Sequence, residues 1–197
     1  MIDLLLFTKA AAGDTAGCSL LLANGANPQS ESSRALFLAA MNGHVACVRQ
    51  LIPISNPTAE NSIALRWAAM NGHAECVSLL IPVSDPTAEK SQALMNATLN
   101  NHLECVKLLF PVSWPAIEKG LIFSQALDNG YAEVVAFFLA REPALLDGLD
   151  LPESVDSALA SGHASLAALL SSIIDLKALS KAVPVVGARS SPQDTRL

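Results

Sequence analysis

The sequence predicts an all-α fold, an α-solenoid of stacked helix-turn-helix units, and three observations carry that prediction. A histidine recurs at His44, His73 and His102, each 29 residues after the last, with Tyr131 in the next place. Whole columns keep the same step: Pro28, Pro57, Pro86 and Pro115; Leu36, Leu65, Leu94 and Phe123; Ala39, Ala68, Ala97 and Ala126; Cys47, Cys76, Cys105 and Val134. Strand signals are missing, with neither period-2 alternation nor a hairpin dipeptide at the unit boundaries. A fixed period of this length, with many columns locked, is the mark of a repeat array.

In chain order the units read as follows. Residues 10–28, "AAAGDTAGCSLLLANGANP", fit the pattern with Asp14 in the histidine column. Each middle unit then holds two helices. Asn56 or Asp85 before proline reads as a helix start, with a capping side chain followed by proline at the first helical position. Glu31, Glu60, Glu89 and Glu118 fall in the predicted first turn, where a carboxylate suits the positive end of the helix dipole. The first helix is expected to run through "PTAENSIALRWAAMN", Gly72 to make the turn, and "AECVSLLI" to return and stop near Pro82. Residues 153–171 repeat the pattern once more around His163, after a linker three residues longer. The expectation is an array of about six helix pairs over residues 1–182, degenerate at both ends. Residues 183–197, "VPVVGARSSPQDTRL", lack a helical pattern and are expected to form a disordered tail.

Composition narrows the function. The 197 residues are 51% hydrophobic and 15% charged, with a formal net charge of −6. An acidic chain without a basic cluster argues against sequence-independent nucleic-acid binding. No apolar run approaches the ~20 residues of a membrane-spanning helix. Asp3 stands where a secretory signal carries positive charge, and evenly spaced cysteines suit a repeat column better than a disulfide framework. The expectation is a cytoplasmic protein, or one secreted into a host cytosol if it acts as an effector.

The stretches "LLLANGANP", "ALFLAAMNGHVACVRQLI" and "ALRWAAMNGHAECVSLLI" resemble the ankyrin repeat, with its A-A-x-x-G-H turn and L-L-x-x-G-A-[DN] segment, over roughly residues 3–172. The middle units are about four residues shorter than the usual ~33. "IPVSDPTAEKSQAL" also lacks the G-A-D turn and the T-P-L-H tetrapeptide. The resemblance therefore implies a helix-pair solenoid whose β-hairpin fingers are trimmed to short loops. It further implies that the turn histidine bridges backbone groups of adjacent units.

The His–Cys pairs, three residues apart, have a second reading as metal or thiolate sites. Each unit supplies two ligands where zinc needs about four, and unit four replaces both with Tyr131 and Val134. They are read as architecture, with the cysteines facing the core. No G-x-S-x-G elbow, phosphate-binding loop or H-E-x-x-H motif is present. Asp147 and Asp150 offer too few oxygens for calcium. The expectation is a non-enzymatic protein with no cofactor and no metal.

The positions that vary while the scaffold repeats form one helical stripe at i, i+3, i+4 and i+7. They are Arg34/Ile63/Gln92/Leu121, Phe37/Arg66/Met95/Ser124, Leu38/Trp67/Asn96/Gln125 and Met41/Met70/Leu99/Asp128. The resemblance places this stripe on the concave, partner-binding surface. The candidate binding residues are Arg34, Phe37, Arg66, Trp67, Met70, Met95, Asn96, Gln125 and Asp128. Ile63 and Trp67 have a second reading as residues packed between repeats. The implied function is a protein-interaction module, in roles such as a bacterial effector or a toxin-neutralising immunity protein, with a basic partner suited to the acidic balance. The alternatives are a structural subunit of a larger assembly and a metal- or thiol-dependent protein. The terminal Thr195-x-Leu197 also matches two positions of a PDZ-binding carboxyl terminus.

Overall fold

A computed structural model of the chain describes residues 1–114 and 118–182, and among these residues the secondary structure is entirely helical. The expected tail at 183–197 and the PDZ-type terminus lie outside the described residues. Twelve α-helices follow one another: α1 (Ile2–Ala11), α2 (Thr15–Ala23), α3 (Ser30–Met41), α4 (Val45–Leu51), α5 (Ala59–Met70), α6 (Ala74–Leu80), α7 (Ala88–Leu99), α8 (Leu103–Ser113), α9 (Lys119–Asp128), α10 (Ala132–Arg141), α11 (Leu151–Ala160) and α12 (Ala164–Ala182). They fall into two compact units: α1–α10 in Met1–Gly148, and α11 and α12 in the described part of the unit that begins at Leu149.

In the first unit, odd-numbered helices stack on odd and even on even, so α3 packs on α1 and α5, and α6 on α4 and α8. The repeated columns explain why. Leu36, Leu65, Leu94 and Phe123 are buried, as are Ala39, Ala68, Ala97 and Ala126. The alanines are small enough for two helices to approach closely, and the leucines fill the space between units. From the second helices come Leu51, Leu80, Leu109 and Phe138, all fully buried. In the second unit, α11 starts at Asp150, whose side chain accepts the Glu153 N–H at 3.2 Å. Asp150 is thus occupied as a helix cap. Leu166, Ala167 and Leu170 of α12 are buried, whereas Leu176 and Leu179 are exposed.

The connectors differ from the sequence expectation. Asn56 and Asp85 do not cap a right-handed helix. Each makes a tight turn in which its Oδ1 accepts both the backbone N–H and the hydroxyl of the threonine two residues on, Thr58 and Thr87. The Thr87 bonds hold the Asp85 carboxyl below its usual pKa. Beginning two residues after Thr58, Thr87 and the equivalent Gln29, three residues in succession are left-handed: Glu31-Ser32-Ser33 (φ 47, 57 and 64), Glu60-Asn61-Ser62 (49, 55 and 60) and Glu89-Lys90-Ser91 (51, 56 and 63). The glutamates therefore stand in a left-handed turn and not in a helical first turn, which removes the dipole argument for Glu31, Glu60 and Glu89. Regular right-handed helix begins only at Arg34, Ile63 and Gln92.

Left-handed conformation costs a residue bearing Cβ roughly 1–2 kcal/mol, so something must offset three in succession. The last residue of each run is a buried serine. Ser33 Oγ accepts the Asn56 N–H at 2.7 Å, and Ser62 Oγ accepts the Asp85 N–H at 2.8 Å. Ser91 Oγ donates to the Ser113 carbonyl at 3.0 Å. In return Ser84 and Ser113 donate to the carbonyls of Pro57 and Pro86. These serines join consecutive units where a hairpin finger would otherwise do so. Before the second and third of these turns, a 3-10 segment (Ile52–Ile54 and Ile81–Val83) that contains the proline ends the second helix.

Candidate protein-binding face

The three histidines of the 29-residue column, His44, His73 and His102, are accounted for by the turns. Nε2 of His44, His73 and His102 lies 2.9–3.0 Å from the carbonyl oxygens of Ala11, Met41 and Met70 in the preceding unit. A carbonyl only accepts, so Nε2 carries the proton. Tyr131 keeps the same bond, its hydroxyl donating to the Leu99 carbonyl at 3.0 Å. The other side of each ring lies against a glycine of the preceding turn. A Cβ added to Gly43 or Gly72 would sit 2.6 Å from Nδ1 of His73 or His102. Where no histidine follows, before Tyr131, the equivalent residue is Asn101, also at positive φ (56).

The cysteines lie apart from this, in the core. Cys18, Cys47, Cys76 and Cys105 are free and buried. Burial pushes the thiols of Cys18, Cys76 and Cys105 up to about 11, the opposite of an activated thiolate. Among the described residues, no group of three or more His, Cys, Asp or Glu side chains could hold a metal ion.

The varying columns share the outward side of the odd-numbered helices. Trp67, Met70 and Leu99 are each 36% exposed, and Leu121 is 46% exposed. The Trp67 ring meets Phe37 edge-on at 6.0 Å, so it packs against the neighbouring unit while a third of it faces solvent. Arg66 is committed locally. Its guanidinium donates to the Glu60 carbonyl at 2.8 Å and the Asn61 carbonyl at 3.0 Å, closing the left-handed turn below it. Arg34 pairs with Glu31 at 2.8 Å and lies over the Phe7 ring at 5.8 Å. Asn96 receives Gln92 at 2.7 Å and reaches the Arg66 carbonyl at 3.2 Å. Met95 is half-buried, Asp128 is exposed, and Gln125 buries its Oε1 without a hydrogen-bond partner.

The stripe continues into α1, which the 29-residue step concealed. His44 bonds Ala11 as His73 bonds Met41, and Gly13 meets His44 as Gly43 meets His73. The first boundary therefore steps by 30, as the position of Asp14 before His44 indicates. On that register Leu4, Phe7, Thr8 and Ala11 precede Arg34, Phe37, Leu38 and Met41. These four α1 residues line one groove together with Glu31, Arg34 and Leu38. A second cluster escaped the sequence reading. Trp114, 5% exposed, stacks on Phe110 at 4.6 Å and on Phe138 at 5.0 Å. Its indole N–H and Lys119 both donate to Glu142, at 3.1 and 2.7 Å.

Repeating side chains inside, varying ones on one outer face and turns bonded unit to unit together define a helical repeat solenoid. The chain belongs to the ankyrin-repeat family: a family model of ankyrin repeats (three copies) matches residues 6–89 and 36–119, more than half of its length. Its fold is similar to the crystal structure of the human ASB11 ankyrin repeat domain, with a TM-score of 0.67 at 19% identity over 85% of this chain and 82% of that one. No curated protein matches the sequence. Ankyrin repeats are typically non-catalytic modules that bind proteins. No described helix is long and apolar enough to cross a membrane.

Proposed function

We propose that this protein binds one protein partner along the outer side of its odd-numbered helices, centred on Phe37, Trp67, Met70, Met95 and Leu99. The observation that carries the reading is that side-chain variation between units is concentrated on this side, while the units agree in the core and turns. Tryptophan is among the residue types that dominate interface energies, and a ring one-third exposed beside a second aromatic makes a fitting anchor. Arg34, Asn96, Gln125 and Asp128 supply polar contacts around it. Arg66 acts mainly by supporting the turn beneath the face. The surplus of acidic residues favours a basic partner through its effect on association rate. Such a partner suits an immunity or effector role, in which the array blocks a basic target.

The test is capture of partners from an extract of the source cell by the wild type, by Trp67→Ala with Arg66→Glu, and by Glu104→Gln with Lys107→Gln on the second helices. The expected result is one protein retained by the wild type and the second-helix variant and lost by the first. An identical set on all three would remove this face as the binding surface.

A further inference from the structure

The dipeptide Asn-Gly occurs at Asn24-Gly25, Asn42-Gly43, Asn71-Gly72 and Asn129-Gly130. Asparagine before glycine is prone to lose its side-chain amide, because glycine leaves the following backbone nitrogen unhindered. The reaction needs that nitrogen to reach the asparagine Cγ, so the fold decides where it happens.

In the first three the backbone is nearly the same. Each asparagine follows the last residue of a helix, with ψ of 13, 5 and 5. Each side-chain amide donates to a carbonyl, of Leu20, Leu38 and Met41, at 2.7–2.8 Å. Each glycine N–H donates within its turn, to Leu22, Ala40 and Ala69, at 3.1–3.3 Å. A ψ near zero turns the glycine nitrogen away from the side chain. Closure on Cγ therefore requires the Asn-Gly peptide to rotate about the Cα–C bond.

What resists that rotation differs between the turns. His73 Nε2 donates to the Met41 carbonyl, just before Asn42, and its ring abuts Gly43, just after it. His102 brackets Asn71 in the same way, from the Met70 carbonyl to Gly72. Asn24-Gly25 instead ends α2, a second helix, where the repeat places no turn histidine. Gly25 has nothing within 4 Å of the position its Cβ would take. Asn24 and Gly25 are both exposed, whereas Gly43 and Gly72 are half-buried.

We propose that Asn24-Gly25 is a modification site of the folded protein, where asparagine converts to aspartate and isoaspartate through a cyclic imide, with water as the only reactant. The Gly25 nitrogen gives up its proton and bonds to Asn24 Cγ; the Cγ–Nδ2 bond breaks, and ammonia leaves with that proton. Water then opens the imide. Breaking the new bond between the Gly25 nitrogen and Cγ leaves aspartate. Breaking the original peptide bond leaves isoaspartate, whose main chain is one carbon longer. Either product adds a negative charge between α2 and α3. Isoaspartate also lengthens the connector that Asp3 holds by accepting the Asn27 N–H at 2.7 Å.

Peptide mapping by mass spectrometry tests this on the full chain, held folded at mildly alkaline pH and sampled over time. Asn24 is expected to convert about tenfold faster than Asn42 and Asn71, the rate effect of one hydrogen bond that must break before rotation. In denaturing urea the three rates are expected to converge. His73→Ala removes the ring over Gly43 and is expected to accelerate Asn42 alone, with Asn71 as the internal control against general unfolding. Equal rates in the folded chain, or faster conversion at Asn42 or Asn71, overturn the proposal. So does an Asn24 that stays intact in the folded chain while all three convert in urea. An unchanged rate at Asn42 in His73→Ala overturns the histidine ring as the cause of the difference.

Discussion

Thr98 occupies a column held elsewhere by Ala40 and Ala69, and its buried Oγ1 finds no hydrogen-bond partner. A buried hydroxyl left unpaired costs ~1–3 kcal/mol, and valine fills the same space without it. Thr98→Val is therefore expected to raise unfolding free energy by about 1 kcal/mol in urea titrations; a loss of that size would mean that the hydroxyl has a partner. The turn glycines separate two effects at single positions. Gly72 (φ +76) faces the His102 ring, whereas Gly25 (φ +87) has open space around its missing Cβ. Alanine at Gly25 is expected to cost only the left-handed penalty, roughly 1–2 kcal/mol. Gly72→Ala is expected to cost clearly more, because the ring must also move. Equal losses would show that the ring contact contributes nothing. At this scale much was legible. The leucine, alanine and cysteine columns are buried where their recurrence placed them, because a side chain that cannot change between units is one the packing constrains.

At the scale of the element, the helix pairs and glycine turns were legible, and the left-handed turns were not. "PTAENS" contains good helix formers and an acidic residue three positions after proline, so local propensity favours a right-handed start. The turn forms because tertiary bonds made by Ser33, Ser62 and Ser91 outweigh that propensity, and such bonds leave no local trace. The serine column was visible in the sequence, but a polar residue in a predicted first turn does not signal burial. Two substitutions bear on this. Ser62→Ala removes the buried acceptor of the Asp85 N–H and is expected to cost about 1–3 kcal/mol. Lys90→Gly relieves a left-handed residue (φ 56) and is expected to gain up to about 1 kcal/mol. Destabilisation by Lys90→Gly in thermal melts would argue that the segment is right-handed helix after all. The missed α1 part of the face has a simpler cause. One extra residue before His44 shifted the register, and an alignment on the turns instead of on the 29-residue step recovers it.

At the scale of the whole first unit, the array's later part is held by an aromatic cluster and one carboxylate. Lys119 and Trp114 both bond Glu142 and hold its pKa below the ordinary value of 4.5. A depressed folded pKa contributes stability above the ordinary value, and that stability is lost as pH falls through the folded one. Glu142→Gln is thus expected to be less stable than wild type near pH 7, with the gap narrowing as pH falls below the ordinary glutamate value, as read by denaturant titration. A gap that does not narrow on acidification would place the effect in packing instead of charge. The family itself was legible because repetition writes the same physics several times. The partner was not, because a binding face is defined by what it meets.

The claim on which the account turns is that the varying side of the odd-numbered helices is where a partner docks. Amide hydrogen exchange of the full chain, with and without a captured partner, addresses it most directly. Added protection is expected over α3, α5 and α7 around Phe37, Trp67 and Leu99, with exchange on α4, α6 and α8 unchanged. Protection confined to the second helices, around Arg49, Glu75 and Lys107, would contradict the account.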